Sequence, residues 1–458
     1  MASPSGWRCC ICCREARVAD AVVLRGGRVV DPANDVDGHV DVFIEESRIA
    51  GVGVDLILPE GVREVAVPDG CVVCPGLIDM HVHLREPGQE HKETIATGLA
   101  AAVAGGFTAV ACMPNTEPAN DEAGVTRLIL ERAADAGLAR VYPIGAVSRG
   151  RAGEQLAELG ELHEAGCVAV SDDGQPVASA LLMRRALEYA GMFGMPVIDH
   201  CEDMSLADGG VAHEGFRAAS LGLRGRPAVA EQILVERDIA LACTTGAAVH
   251  IAHLSSRAAV AAVAAGKASG ARVSCEVTPH HLALTDEELD AYDTRYKVNP
   301  PLRETGDRAA LVEAVRDGVI DVIATDHAPH HYDEKLVEFD QAPFGVVGLE
   351  TAVSVCLDRL VHGGVISLGR MVELMSVNPA RILDVPGGGL SVGAPADLTL
   401  LAPDLPVQVD STTFRSLGRN SPFDGRSFKG GVAATFVDGR AVFVNAAVSG
   451  ADQLQIGA

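Results

Sequence analysis

Residues 76 to 88, Gly-Leu-Ile-Asp-Met-His-Val-His-Leu-Arg-Glu-Pro-Gly, carry two histidines two positions apart, His81 and His83. Alternate side chains of a β-strand share a face, so this spacing lets both imidazoles reach one metal ion. A bare His-X-His pair is more often an ordinary core or surface feature, so its chemistry depends on what the fold places beside it. Other imidazoles and carboxylates stand in compact groups: Ser171-Asp172-Asp173-Gly174, Asp199-His200-Cys201-Glu202, His253, and Thr325-Asp326-His327-Ala328-Pro329-His330. Imidazole and carboxylate are the ligand types that suit zinc and similar ions.

These groups recur at the ends of short β-branched runs. Between Pro75 and about residue 385, eight such runs alternate with Ala- and Leu-rich helical stretches: Leu77 to His83, Thr108 to Met113, Val141 to Val147, Val168 to Ser171, Pro196 to His200, Val249 to His253, Arg272 to Val277 and Val319 to Thr325. That alternation predicts a (β/α)8 barrel of the α/β class over residues 75–385, in which active-site groups sit where strands end. The flanks, residues 20–74 and 386–447, are rich in Val, Gly, Asp and Pro with short alternating runs, and Asp438-Gly439 is a hairpin signal. Together they are expected to form one small β-sandwich with no chemistry of its own.

The 458-residue chain is 48% hydrophobic and has few aromatics. No stretch approaches the roughly 18 uninterrupted apolar residues of a membrane span. A formal charge of −25 argues against nucleic acid or an anionic membrane as partner. It leaves room for a small anionic substrate, because diffuse charge is screened over roughly 8 Å while a metal and one Arg act at contact distance. The chain has twelve cysteines. Cys9, Cys10, Cys12 and Cys13 cluster without zinc-finger spacing, and residues 1–19 read as a disordered extension. Cys112, Cys167, Cys243 and Cys356 lie scattered in apolar segments, the usage of reduced, buried thiols in a cytoplasmic protein.

The motifs His-Val-His-Leu-Arg-Glu-Pro-Gly, Cys-Met-Pro-Asn-Thr (112–116), Ser-Asp-Asp-Gly, Asp-His-Cys-Glu, Lys-Val-Asn-Pro-Pro-Leu-Arg (297–303) and Ala-Thr-Asp-His-Ala-Pro-His resemble those of dihydroorotases. The resemblance spans the chain after about residue 20 and is nearest to the bacterial type that stands as its own polypeptide, within the amidohydrolase superfamily. It implies two zinc ions per subunit, one held by His81, His83 and Asp326 and the other by His200 and His253, with a bridging carboxylate. Many amidohydrolases bridge with a carboxylated lysine after strand four, but no lysine occurs between Lys92 and Lys267. A protein carboxylate has to take its place. Asp173 is chosen over Asp172 because the resembling enzymes place the bridging aspartate directly before this glycine, and Asp172 is expected to turn toward the backbone of its own turn.

The resemblance further implies reversible cyclisation of N-carbamoyl-L-aspartate to (S)-dihydroorotate plus water, a step of pyrimidine biosynthesis. A metal-bridged water would be acidified toward pKa ~7 and act as hydroxide, with Asp326 as ligand and general acid/base. Arg85 is expected to hold the substrate carboxylate by a bidentate fork. His83, Asn115, Asn299, His330, Phe344 and Gly345 match further substrate contacts. His280 and His281 are expected to support strand seven or the groups behind the metal ligands rather than bind metal, while His39, His91, His163, His213 and His362 read as structural or solvated. Association into a homo-oligomer, or with aspartate carbamoyltransferase, is left open. Two rivals remain: a hydantoinase or allantoinase of the carboxylated-lysine type, and a non-catalytic scaffold that has lost its metal ligands.

Overall fold

A computed structural model describes residues 21–456. The residue 1–19 extension and its cysteine cluster therefore lie outside the described residues. Eight parallel strands follow one another around a barrel: β1 (Leu77–Val82), β2 (Phe107–Cys112), β3 (Arg140–Gly145), β4 (Ala169–Ser171), β5 (Val197–Asp199), β6 (Val249–Ile251), β7 (Val273–Val277) and β8 (Val322–Ile323). The ladder runs without a crossover from β1 to β8. It closes where His83 N donates to His327 O at 2.8 Å and Val82 bridges His327 in parallel. Each observed strand falls within, or one residue outside, its predicted run, and the strands end before the polar residues that follow them.

Two apolar layers hold the barrel. Its interior is filled by Met80, Ala111, Met113, Ile144, Ala169, Ile198 and Val322, and a larger core lies between strands and helices. The β1–β2 register shifts between Asp79 and Val82, next to the first histidine. A shift of this kind re-aims side chains beside an active site. Gly76 leads into β1 where a Cβ would lie 2.1 Å from Thr108 Oγ1, so only glycine lets the strand approach β2 this closely.

The flanks meet in two mixed sheets. One orders the strands Arg48–Gly53, Asp41–Glu45, Val22–Arg25 and Arg63–Ala66; the other orders Arg440–Val444, Ser427–Val437, Leu398–Gln408, Val72–Pro75, Arg28–Asp31 and Val36–His39. N- and C-terminal strands thus pair directly, Val72–Pro75 running antiparallel to Leu398–Leu401. Both inner faces share one core containing Leu24, Val29, Ile44, Val73, Leu398 and Phe436. Asp438 and Gly439, at φ 51° and 73°, make the hairpin turn expected of them. The cysteines among the described residues are free thiols, buried as expected except Cys243, which is exposed on the helix Ala228–Thr245. No helix among the described residues is long and apolar enough to cross a membrane.

Candidate metal centre and substrate cavity

The strand ends converge at one mouth of the barrel. His81 lies in β1, and beyond the ladders stand His83 (β1), Asp173 (β4), His200 (β5), His253 (β6) and Asp326 (β8), all buried. Arg85, His253 and Asp326 have φ of 63°, 30° and 47°. Non-glycine residues seldom adopt such values, and they cluster where the surrounding structure enforces a functional geometry.

One carboxylate sits at the centre. Asp173 Oδ1 lies 3.4 Å from His81 Nε2, 3.7 Å from His253 Nε2 and 3.8 Å from His200 Nδ1, while Oδ2 lies 3.5 Å from His83 Nε2. On one side, His81 and His83 Nε2 face Asp326 Oδ1 at 3.6 and 2.9 Å. On the other, His200 Nδ1 and His253 Nε2 converge at 2.9 Å. Two overlapping groups of side chains are therefore spaced to hold metal ions: His81, His83 and Asp326, and His81, Asp173 and His253. His81 Nε2 and Asp173 Oδ1 are buried with no hydrogen-bond partner. Buried polar atoms are rarely left so, and this facing pair fits a site whose missing partner is a cation.

The ring orientations agree. His81 Nδ1 is 2.5 Å from Glu276 Oε1, at the end of β7, which leaves Nε2 free as a ligand atom. Glu276 Oε2 also faces His250 Nε2 at 3.2 Å, and Oε1 accepts from His253 N at 3.2 Å. A carboxylate behind a ligating histidine fixes its tautomer and raises its basicity. Glu276 was missed from sequence because it lies inside an ordinary strand run and its partners are 195 and 26 residues away. Burial disfavours charge on both Asp173 and Asp326, but the surrounding histidines outweigh it, holding Asp173 well below the usual carboxylate range and Asp326 down to about 2. Both are anionic at neutral pH.

Asp172 turns away, but not to its own turn as anticipated. Its oxygens accept from Ser148 N at 3.0 Å and Ser148 Oγ at 2.5 Å, beyond β3. Arg151, also unanticipated, donates from Nη2 to Asp173 O at 2.6 Å and steadies the same turn.

A cavity of about 190 Å³ opens over the metal-facing groups and is lined by His83, Arg85, Asn115, Asn299, His330, Phe344 and Gly345, the whole set singled out for substrate. Arg85 donates from Nε to Pro329 O at 3.1 Å and has no ion-pair partner among the described residues. Burial lowers its pKa to about 10, so it keeps its charge. Asn115 Oδ1 accepts from His83 Nδ1 at 2.8 Å and so orients a metal-facing ring from the cavity wall. Asn299 is more engaged than a free substrate contact: Oδ1 accepts from Arg226 Nη1 at 3.1 Å, and Nδ2 donates to Glu202 Oε2 at 2.9 Å while lying 3.1 Å from His200 Nε2. His330 Nε2 donates to Phe344 O at 2.7 Å. His281 accepts the supporting place expected of it, 2.9 Å from Pro300 O, and His280 is buried beside it.

A (β/α)8 barrel that gathers histidines and aspartates around two overlapping metal positions beneath a small cavity defines a metal-dependent amidohydrolase. The family described as Dihydro-orotase-like matches residues 70–259. A dihydroorotase of Pelotomaculum thermopropionicum is 54% identical over 92% of this chain and 98% of its own length, and one of Anaeromyxobacter dehalogenans is 53% identical over 93% and 98%. The chain belongs to the dihydroorotase family. Among solved structures, an L-hydantoinase (dihydropyrimidinase) from Arthrobacter aurescens superposes with a TM-score of 0.82 at 25% identity, covering 92% of this chain and 95% of that one. A dihydropyrimidinase from Brevibacillus agri gives 0.80 at 23%, covering 96% and 99%, a likeness of fold alone.

Proposed function

We propose that the protein interconverts N-carbamoyl-L-aspartate and (S)-dihydroorotate in pyrimidine biosynthesis, using two zinc ions per subunit. His81, His83 and Asp326 would hold one ion and His200 and His253 the other, with Asp173 shared between the two positions. When bound, the ions supply a water acidic enough to attack at neutral pH and polarise the carbonyl it attacks. Asp326 borders both the metal positions and the cavity, so it takes the proton of the attacking water and delivers it to the departing ring nitrogen. In ring closure the same carboxylate carries the proton in the opposite sense. Arg85 meets the substrate carboxylate with its terminal amino groups, beside Asn115 and His330. Phe344 and Gly345 contact the ring, and Asn299 acts on it from the wall while fixing His200.

The observation that carries this reading is that the metal-facing residues and the Arg85 guanidinium line one small cavity, with an aspartate and no lysine at the end of β4. That aspartate also separates the chain from the hydantoinase alternative, whose bridge is a carboxylated lysine. The retained ligand set speaks against a non-catalytic scaffold. The same proposal divides the chain into a barrel over 75–385 and a sandwich over 20–74 plus 386–447, and sets it in the cytoplasm. Purified protein assayed with dihydroorotate, hydantoin and allantoin, alongside metal analysis, is expected to turn over dihydroorotate with two zincs bound. Turnover of hydantoin alone overturns the reading. Sedimentation with and without aspartate carbamoyltransferase reads its assembly.

A further inference from the structure

The flank was expected to carry no chemistry, yet one of its segments reaches the cavity. Between the strands Leu398–Gln408 and Ser427–Val437 the chain leaves the sheet and lays Ser416 to Asn420 against the barrel mouth. Ser416 Oγ and Leu417 N both donate to Glu93, a fully buried carboxylate that also faces His327 Nε2 at 3.4 Å. Gly418 presses on the loop after β8 so closely that a Cβ would lie 2.7 Å from Pro329 Cβ.

Asn420 ends this contact. It is 4% exposed, and its amide is fully used: Nδ2 donates to Ala328 O and Gly345 O, each at 3.0 Å, and Oδ1 accepts from His330 N at 3.2 Å. The main-chain carbonyl of Asn420 accepts from Val347 N at 3.2 Å. The loop of residues 331–344 departs just after His330 and returns at Gly345, so one side chain clamps both ends. His330, Phe344 and Gly345 all line the cavity. Without the clamp, two buried carbonyls and one N–H lose their partners and the ends of the loop are free to separate.

We infer that Asn420, contributed by the flank rather than the barrel, is a positioning residue for substrate, holding the His330 ring and the Gly345 backbone at fixed places on the cavity wall. The inference rests on the substrate roles given above to His330, Phe344 and Gly345. Displacements near 1 Å in such groups cost up to about a hundredfold in reactivity. Asn420 touches no metal-facing side chain, so its removal acts on substrate and spares the metal.

Steady-state kinetics of the zinc-loaded enzyme with dihydroorotate, together with metal content and Tm, test this. Asn420→Ala and Asn420→Asp, the latter keeping the acceptor for His330 N but losing both donations, are expected to raise KM about tenfold or more, with kcat changed less than about threefold and metal content at the wild-type value. Asn378→Ala serves as control, because Asn378 is equally buried but donates to Asp321 O near the start of β8; it is expected to lower Tm without raising KM. An unchanged KM in a folded Asn420 variant, metal lost in step with activity, or failure of both variants to fold overturns the inference in favour of a purely architectural role. Wild-type protein that turns over no dihydroorotate overturns the proposed function and this inference with it, whereas wild-type turnover with unchanged variant KM overturns the inference alone.

Discussion

Asp172 and Asp173 are neighbours in sequence and face unlike surroundings. Asp173 meets four imidazoles, whereas Asp172 is occupied by the Ser148 hydroxyl and backbone. Asp173→Ala is expected to lose metal and activity together, by roughly a thousandfold in turnover, since metal-supplied charge stabilisation is worth several kcal/mol. Asp172→Ala is expected to keep both metals and lose about 1–3 kcal/mol of stability from the unpaired Ser148 groups. Metal analysis of the two proteins decides, and metal loss confined to Asp172→Ala would reverse the assignment. Glu276 acts one shell further out. Glu276→Gln keeps the shape but removes the charge behind His81, so metal affinity should fall about 10–100-fold in a chelator competition; unchanged affinity would reduce Glu276 to packing.

At the scale of elements, the strands present and the loops enclose. The left-handed backbone at Arg85, His253 and Asp326 turns three strand ends toward one point. The loop from His331 to Phe344 is tied down by two cations: Lys297 Nζ donates to Phe339 O at 2.7 Å, and Lys335 Nζ to Pro343 O at 2.7 Å and Thr294 O at 3.2 Å. Burial lowers the Lys335 pKa from 10.5 to about 7. The unfolded chain therefore binds a proton that the folded protein releases between those values, and the cost of the buried charge is full below pH 7 and lifts as pH rises toward 10.5. Thermal melts of wild type and Lys335→Met across this range should show wild type gaining on the variant as pH rises. A gap independent of pH would refute the buried charge.

The whole molecule depends on long-range closure. The metal-facing side chains come from five different strands, and the two flanks meet only when residues near 73 pair with those near 400. Because the metal-facing cluster exists only in the folded barrel, removing zinc should lower Tm and restoring it should raise it, by the equivalent of about 4 kcal/mol at a free-ion concentration 1,000 times Kd. Differential scanning calorimetry before and after chelation measures this, and a Tm indifferent to zinc would argue that the groups hold no ion. The charge of −25 spread over the exterior is no obstacle to an anionic substrate, since Arg85 and the metal positions act inside a cavity.

The sequence alone determined the barrel and most of the metal-facing set, because each βα unit is a local pattern and five of the eight strand ends carry their own His or Asp motif. His81, His83, His200, His253 and Asp326 were legible for that reason, and the missing lysine pointed to an aspartate bridge. Only the tertiary structure decided how those groups are held. Glu276 steadies His81 from across the barrel, Asp172 belongs to Ser148, Asn299 is engaged by Arg226 and Glu202, and Asn420 crosses from the flank to the cavity. These contacts join residues 24 to 195 positions apart, and no local period records them. Strand periodicity and motif spacing describe neighbours along the chain, whereas a hydrogen bond between distant segments exists only once the barrel has closed and the two flanks have paired.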